Sequence, residues 1–303
     1  MMSVNVPTFL KWAGGKQQLL ERYETFFPEQ IDHYVEPFLG GGAVLFFVLT
    51  YRNPKIIRAF DRNPELIGTY NAVKINVNET ISILLSLQEG HASSENAQHY
   101  YYERRTEFNH LKLAQRLPKK KMLRKAALFI YLNKACFNGL YRENLLGEFN
   151  VPFNGEKEAN LFNEDVLRTA SRLLQKVELK CSDFRKVDYH KGEVTYFDPP
   201  YWTERTTGFT RYTAVDFLKE DQIDLAKLFY RLHLRGNRSL MLSNTDTPLI
   251  HHLYGKPQFT LSKIAARRAI NSEGTGRGKI YEVLITNFRS AKNEVGGTIC
   301  PTK

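Results

Sequence analysis

Three cysteines in 303 residues, with no Cys-x-x-Cys pair, leave no basis for a disulfide framework or a structural zinc site. Cys136, Cys181 and Cys300 are far apart, which points to a reducing compartment. No apolar run approaches the roughly 18 residues that a membrane span needs. The most apolar stretch, residues 43–50, is short, follows a glycine turn and reads as a buried helix. No charged segment followed by an apolar one opens the chain, so no secretory leader is expected. None of the eight histidines falls in a cluster with ligand spacing, so no metal is expected either. Internal repeats and low-complexity tracts are also missing.

What the chain does have is a positive balance. Its 43 Lys and Arg outnumber 32 Asp and Glu, for a formal net charge of +11. Such an excess suits a polyanionic partner, because neutralising phosphates releases counterions. Aromatic residues make up 13%, and aromatic faces stack on exposed bases. At 42% apolar, the chain can bury the core of one large domain or two modest ones.

In order, Lys11-Trp12-Ala13-Gly14-Gly15-Lys16 is a glycine turn before a helix that should begin near Gln17. It reads as an ordinary loop, or as a turn that brings N–H groups to an anion. A short strand then ends at Glu36, Gly40-Gly41-Gly42 make a turn, and an apolar helix follows. The next strand, residues 56–60, ends in Asp61, about 20 residues past the glycines, where an acid can take hydrogen bonds from ribose hydroxyls. Strand, glycines, helix, strand and acid in that order point to a nucleoside-containing ligand.

Residues 71–165 are helix-rich and polar, with helical periodicity over 81–87, 100–117 and 123–136. Arg104-Arg105 and Lys119-Lys120-Lys121 suit solvated helix faces. The irregular segment 138–155 is long enough to suggest function, and its Phe, Val and Leu content argues for order. The α/β pattern resumes with strands at Val177–Cys181, Val194–Phe197 and 239–242, a helix at 220–234, and closing strands at 259–264 and 281–288. A loop at 203–213 and a basic, glycine-containing span at 267–279 separate some of these. The architecture is thus one α/β domain, residues 1–70 plus 166–290, interrupted by 71–165, with 291–303 a loose tail.

Asp198-Pro199-Pro200-Tyr201 closes the strand at 194–197, because Pro199 cannot donate to a ladder. The result is a carboxylate, unpaired carbonyls and an aromatic face at the edge of the sheet where α/β proteins bind ligands. From these residues alone, a plain strand end with an incidental acid fits as well.

Taken together, residues 9–16, Glu36-Pro37-Phe38 with the three glycines, Asp61, Arg142 with Gly147-Glu148-Phe149-Asn150-Val151-Pro152, Asp183-Phe184 and Asp198-Pro199-Pro200-Tyr201 follow a known order. Over roughly residues 9–288 the chain resembles DNA adenine-N6 methyltransferases of the Dam type, the D12 class within the alpha group of amino-methyltransferases. The resemblance implies an S-adenosylmethionine-dependent methyltransferase fold: a mostly parallel, Rossmann-like sheet with a reversed last strand and an inserted helical target-recognition domain. It implies S-adenosylmethionine as cofactor, held by Trp12, Lys16, Glu36, Phe38, Gly40, Gly42, Asp61, Asp183 and Phe184. Catalysis falls to Asp198, Pro199 and Tyr201, acting on an adenine flipped out of the duplex. Lys11, Phe137, Asn138, Leu140, Arg142 and Pro152 match DNA-recognition positions, which suggests GATC as the site. Double-stranded DNA is the expected partner and a cognate restriction endonuclease a candidate one. A monomer in the cytoplasm of a bacterium, or encoded by a phage, is the expected state. Three rival readings are a methyltransferase for RNA or a protein amide, a catalytically silent DNA-binding relative, and a nicotinamide oxidoreductase. The basic insert and Lys11 weigh against the first and the intact Asp198-Pro199-Pro200-Tyr201 against the second. The third has no visible residue set for hydride transfer.

Overall fold

A computed structural model describes residues 4–157, 160–202, 217–236, 239–266 and 280–288. The loop at 203–213, the basic span at 267–279 and the tail at 291–303 lie outside the described residues. The strands are β1 (His33–Glu36), β2 (Ile56–Asp61), β3 (Val177–Cys181), β4 (Val194–Phe197), β5 (Ser239–Thr245), β6 (Thr260–Ala266) and β7 (Ile280–Thr286). They form one sheet in the order β3-β2-β1-β4-β5-β7-β6. All neighbouring pairs are parallel except those of β7, which runs antiparallel to both β5 and β6. The reversed last strand is therefore as expected.

The helices are α1 (Leu20–Tyr23), α2 (Ala43–Tyr51), α3 (Pro64–Ile75), α4 (Val77–Ser93), α5 (Ala97–Leu113), α6 (Lys119–Ala135), α7 (Glu164–Leu174), α8 (Lys219–Leu234) and α9 (Pro248–Tyr254). The predicted helix near Gln17 is instead a 3-10 turn, Lys16–Leu19, running into the single turn of α1. Helix α5 stops at Leu113, four residues short of its expected end, and Pro118 caps the start of α6. The three lysines at 119–121 are thus the first turn of α6, where proline's fixed φ and missing N–H cost nothing. Three further helices escaped the periodicity reading. Two of them carry asparagine caps: Asn63 accepts from the N–H groups of Glu65 and Leu66, and Asn163 from that of Val166. Such caps satisfy donors that a helix start leaves orphaned.

Alternation along the strands builds a core on each face of the sheet. Tyr196 and Met241 enter the larger cluster, which extends through α2 and into α4, α5 and α6. Their neighbours Phe197, Leu240 and Leu242 enter the second cluster with α8 and α9. Strand order reverses between β1 and β4, so the crevice where ligands bind in such sheets opens at Glu36 and just after Phe197.

Phe229 seats α8 on β4: it is fully buried, 6.0 Å from Phe197, 5.6 Å from Tyr254 and 5.1 Å from Phe259 between ring centroids. Phe229→Ala should cost about 3–5 kcal/mol of stability. Denaturant unfolding measures this, and an unchanged midpoint would refute this account of the second core.

Candidate active site at the sheet switch point

Lys16 is almost fully buried, and its ammonium lies 2.9 Å from Oδ1 of Asp198. It also donates to the Gly14 carbonyl at 2.6 Å and stands 4.6 Å from the centre of the Tyr201 ring. The glycine turn after Trp12 is what folds Lys16 inward, toward the end of β4. Burial pushes the Asp198 carboxyl up to about 6; the Lys16 charge works against that and the Glu282 charge adds to it. Oδ1 of Asp198 is buried and, apart from its ion pair with Lys16, accepts no hydrogen bond among the described residues. Glu36, at the end of β1, accepts the Tyr34 hydroxyl at 2.7 Å. Burial holds its carboxyl well above the usual carboxylate range, and the charges of Asp198 and Asp61 push the same way.

The glycine turn between β1 and α2 is tied to β2. Asp61 accepts the Gly40 N–H at 3.0 Å through one oxygen and the Asn63 N–H at 2.9 Å through the other. Burial raises its pKa against backbone bonds from Asn63, Gly40 and Arg62. A carboxylate has about four acceptor sites, so Asp61 keeps capacity for a further donor. Gly42 opens α2 at φ 70°, a conformation that favours glycine, and a side chain there would meet the Tyr70 hydroxyl at 2.5 Å. Trp12 lies over Gly40, 2.9 Å from where a side chain would begin.

Beyond β3, Asp183 accepts the Arg185 N–H at 2.9 Å, and its oxygens lie 3.3 Å from the Arg185 guanidinium. Phe38 and Phe184 pack with ring centroids 5.3 Å apart, and the Phe217 ring borders both. Carboxylates with spare lone pairs, a turn open to close approach and aromatic faces together suit a nucleoside. The donor set therefore fits S-adenosylmethionine.

The residues expected at the DNA gather around one turn. Lys11 is exposed, with the stem of its side chain against Gly139. Phe137 is half exposed and its N–H bonds the Pro152 carbonyl at 2.9 Å; Asn138 adopts φ 56°, and the Leu140 N–H returns to Phe137. Arg142 is folded back onto Asn150 at 2.7 Å. The irregular segment is ordered from α5: Asn109 exchanges two hydrogen bonds with Phe149, and the Tyr101 hydroxyl reaches the Val151 carbonyl at 2.8 Å.

Sequence reasoning missed several supports of the site. Gln222, buried on α8, donates to the Pro200 carbonyl at 2.9 Å and accepts from buried Asn244 at 3.0 Å. The Oδ1 atom of Asn244 in turn receives the Trp202 N–H at 3.2 Å. These two amides brace the proline turn from behind. Glu282 accepts the hydroxyls of Tyr201 at 2.6 Å and Tyr23 at 3.1 Å. Asn244 lies near the end of β5, at the sheet edge that binds ligands, and this position was the only available signal.

The family model for the D12 class N6 adenine-specific DNA methyltransferases matches residues 12–270. The type II methyltransferase M.MjaIII of Methanocaldococcus jannaschii is 41% identical, over 94% of this chain and 100% of its own. The DNA adenine methylase of Escherichia coli K12 is 35% identical, over 91% of this chain and 93% of its own. The type II methyltransferase M1.LlaDCHI of Lactococcus lactis is 36% identical, over 94% and 96%.

Lys16 opposes the upward push of burial on Asp198, so Lys16→Met should raise the carboxyl midpoint above its starting value near pH 6. Glu282→Gln removes a like charge and should lower it. Carbon-13 NMR of labelled aspartate follows both, and midpoints that do not move would rule out this electrostatic account.

Proposed function

The chain belongs to the D12 class of N6 adenine-specific DNA methyltransferases, and from that premise we propose how its own residues methylate adenine in duplex DNA. The observation that carries the reading is the pairing of Lys16 with Asp198, 2.9 Å apart at the carboxyl end of β4. When bound, S-adenosylmethionine supplies an electrophilic methyl group on a sulfonium centre. The exocyclic amine of adenine is a poor nucleophile, because its lone pair is delocalised into the ring. Asp198 accepts one of its N–H groups through Oδ2 and the Pro199 carbonyl accepts the other. The nitrogen is then held nearer to tetrahedral, and positive charge developing on it is stabilised. Lys16 keeps Asp198 ionised near neutral pH, so the acceptor is in the form it needs. Tyr201 stacks on the base, which has left the duplex to reach the site.

Asp61 and Asp183 accept from the cofactor's nucleoside, with Phe38 and Phe184 as faces for its ring. Gly40 and Gly42 shape the turn beside it, and Trp12, Lys16 and Glu36 line the methionine end. Residues 71–165 form the target-recognition insert, and 1–70 with 166–290 the catalytic part. Lys11 reads a guanine, Asn138, Leu140, Arg142 and Pro152 touch the DNA, and Phe137 wedges into it. The site is GATC. The enzyme acts as a monomer in the cytoplasm of a bacterium or a phage host, alone or beside a restriction endonuclease.

Transfer of labelled methyl to short duplexes of varied sequence tests substrate, reaction and specificity together. Asp198→Ala should reduce transfer by at least about 100-fold while cofactor binding stays largely intact. Retained transfer would refute the mechanism. Treated DNA should resist nucleases that GATC methylation blocks, and unaffected cutting would exclude GATC.

A further inference from the structure

Asn133 sits on the last turn of α6, is nearly fully buried, and touches neither the cofactor residues nor the proposed base-reading side chains. Its side chain instead grips backbone 122 residues away. Oδ1 accepts the Lys11 N–H at 2.8 Å, and Nδ2 donates to the Lys11 carbonyl at 2.8 Å. The same Nδ2 also donates to the Gly139 carbonyl at 3.1 Å. Lys11 belongs to no strand or helix, so its peptide groups have no ladder to satisfy them. An amide both accepts and donates, and Asn133 therefore pairs with Lys11 as a neighbouring strand would. A carboxylate lacks the donor, and a hydroxyl cannot reach both sides at once. The fit is closed from the other side: a side chain at Gly139 would begin 2.4 Å from the Lys11 Cβ, at φ +62°. The stem of the exposed Lys11 side chain runs across Gly139.

We propose that Asn133 is a positioning residue for sequence recognition, fixing the Lys11 backbone against the Phe137–Gly139 turn so that the Lys11 ammonium meets one base pair. The inference rests on the reading of Lys11 as a base contact. Asn133 adds to it the joint that gives both recognition elements a common origin: the loop ahead of Trp12 and the turn at the end of α6. A long, flexible lysine discriminates between bases only if its root is held.

The experiment measures kcat/KM for methyl transfer to the preferred duplex and to duplexes changed one base pair at a time. It uses the full chain, Lys11→Ala, Asn133→Ala and the double variant. Lys11→Ala should reduce discrimination at a single base pair by about 5- to 150-fold. Asn133→Ala should relax the same base pair, and in the Lys11→Ala background it should relax it no further. Cofactor affinity, read by equilibrium dialysis, should change less than discrimination does, since Asn133 holds the Lys11 backbone and not the pocket side chains. Gly139→Ala keeps Asn133 and displaces Lys11, and should relax the same base pair if Asn133→Ala does not fold. If Lys11→Ala leaves discrimination intact, the reading of Lys11 fails and this proposal with it. If Lys11→Ala relaxes one base pair while Asn133→Ala relaxes none, relaxes all alike, or adds in full to Lys11→Ala, the positioning role alone is overturned.

Discussion

The ion pair between Lys16 and Asp198 is the contact on which the site depends. Taking either charge out of water costs several kcal/mol, and attraction repays that only with good geometry and further partners. Lys16 has such partners in the Gly14 carbonyl and the Tyr201 ring, while Oδ1 of Asp198 has no hydrogen bond beyond the ion pair among the described residues. The balance is therefore incomplete on the acid's side, and its pKa settles at about 6 instead of falling as in an ordinary salt bridge. The same short segment is anchored a second time by Tyr23, whose hydroxyl lies 3.1 Å from Ser243 and donates to Glu282. One turn of 3-10 helix and one of α-helix thus link the N-terminal loop to the ends of β4, β5 and β7. The brevity of these helical pieces matters less than their side-chain contacts, because tertiary packing outweighs helix propensity at that length.

Much of the fold was legible because its signals are local. A strand buried on both faces reads as an apolar run, as at Val194–Phe197, and a proline must end it. Glu36, Asp61 and Asp198 stood out as acids at strand ends, and the structure gathers their charges into one neighbourhood. The Asn63-Pro64 and Asn163-Glu164 starts were equally local, but a reading based on apolar runs passes over cap signals. The supports of the site were not legible, for a different reason. Gln222 looks like any polar residue on a charged helix, and its partners lie 22 residues away in each direction. Glu282 meets Tyr201 across 81 residues and Asn133 meets Lys11 across 122. A hydrogen bond at that separation leaves no periodicity in the chain, so only the fold can pair its members.

Trp12 shows why the proposed cofactor side and the proposed recognition side are not independent parts. Its indole covers the glycine turn on one side and stacks on Phe129 and Tyr141 on the other, with ring centroids 6.4 Å and 6.0 Å apart. Tyr141 precedes Arg142, and Phe129 belongs to α6, which also carries Asn133. One core cluster contains the α2 residues beneath the glycine turn together with Phe129 and Tyr141. A close-packed interior transmits displacement because it has few voids to absorb it. A ligand that shifts Trp12 must therefore be felt on both sides of it. Any coupling that results is reciprocal: a cofactor that changes affinity for DNA by some factor has its own affinity changed by DNA by the same factor. That symmetry follows from thermodynamics, and the indole between the two sites is the physical element through which it would act.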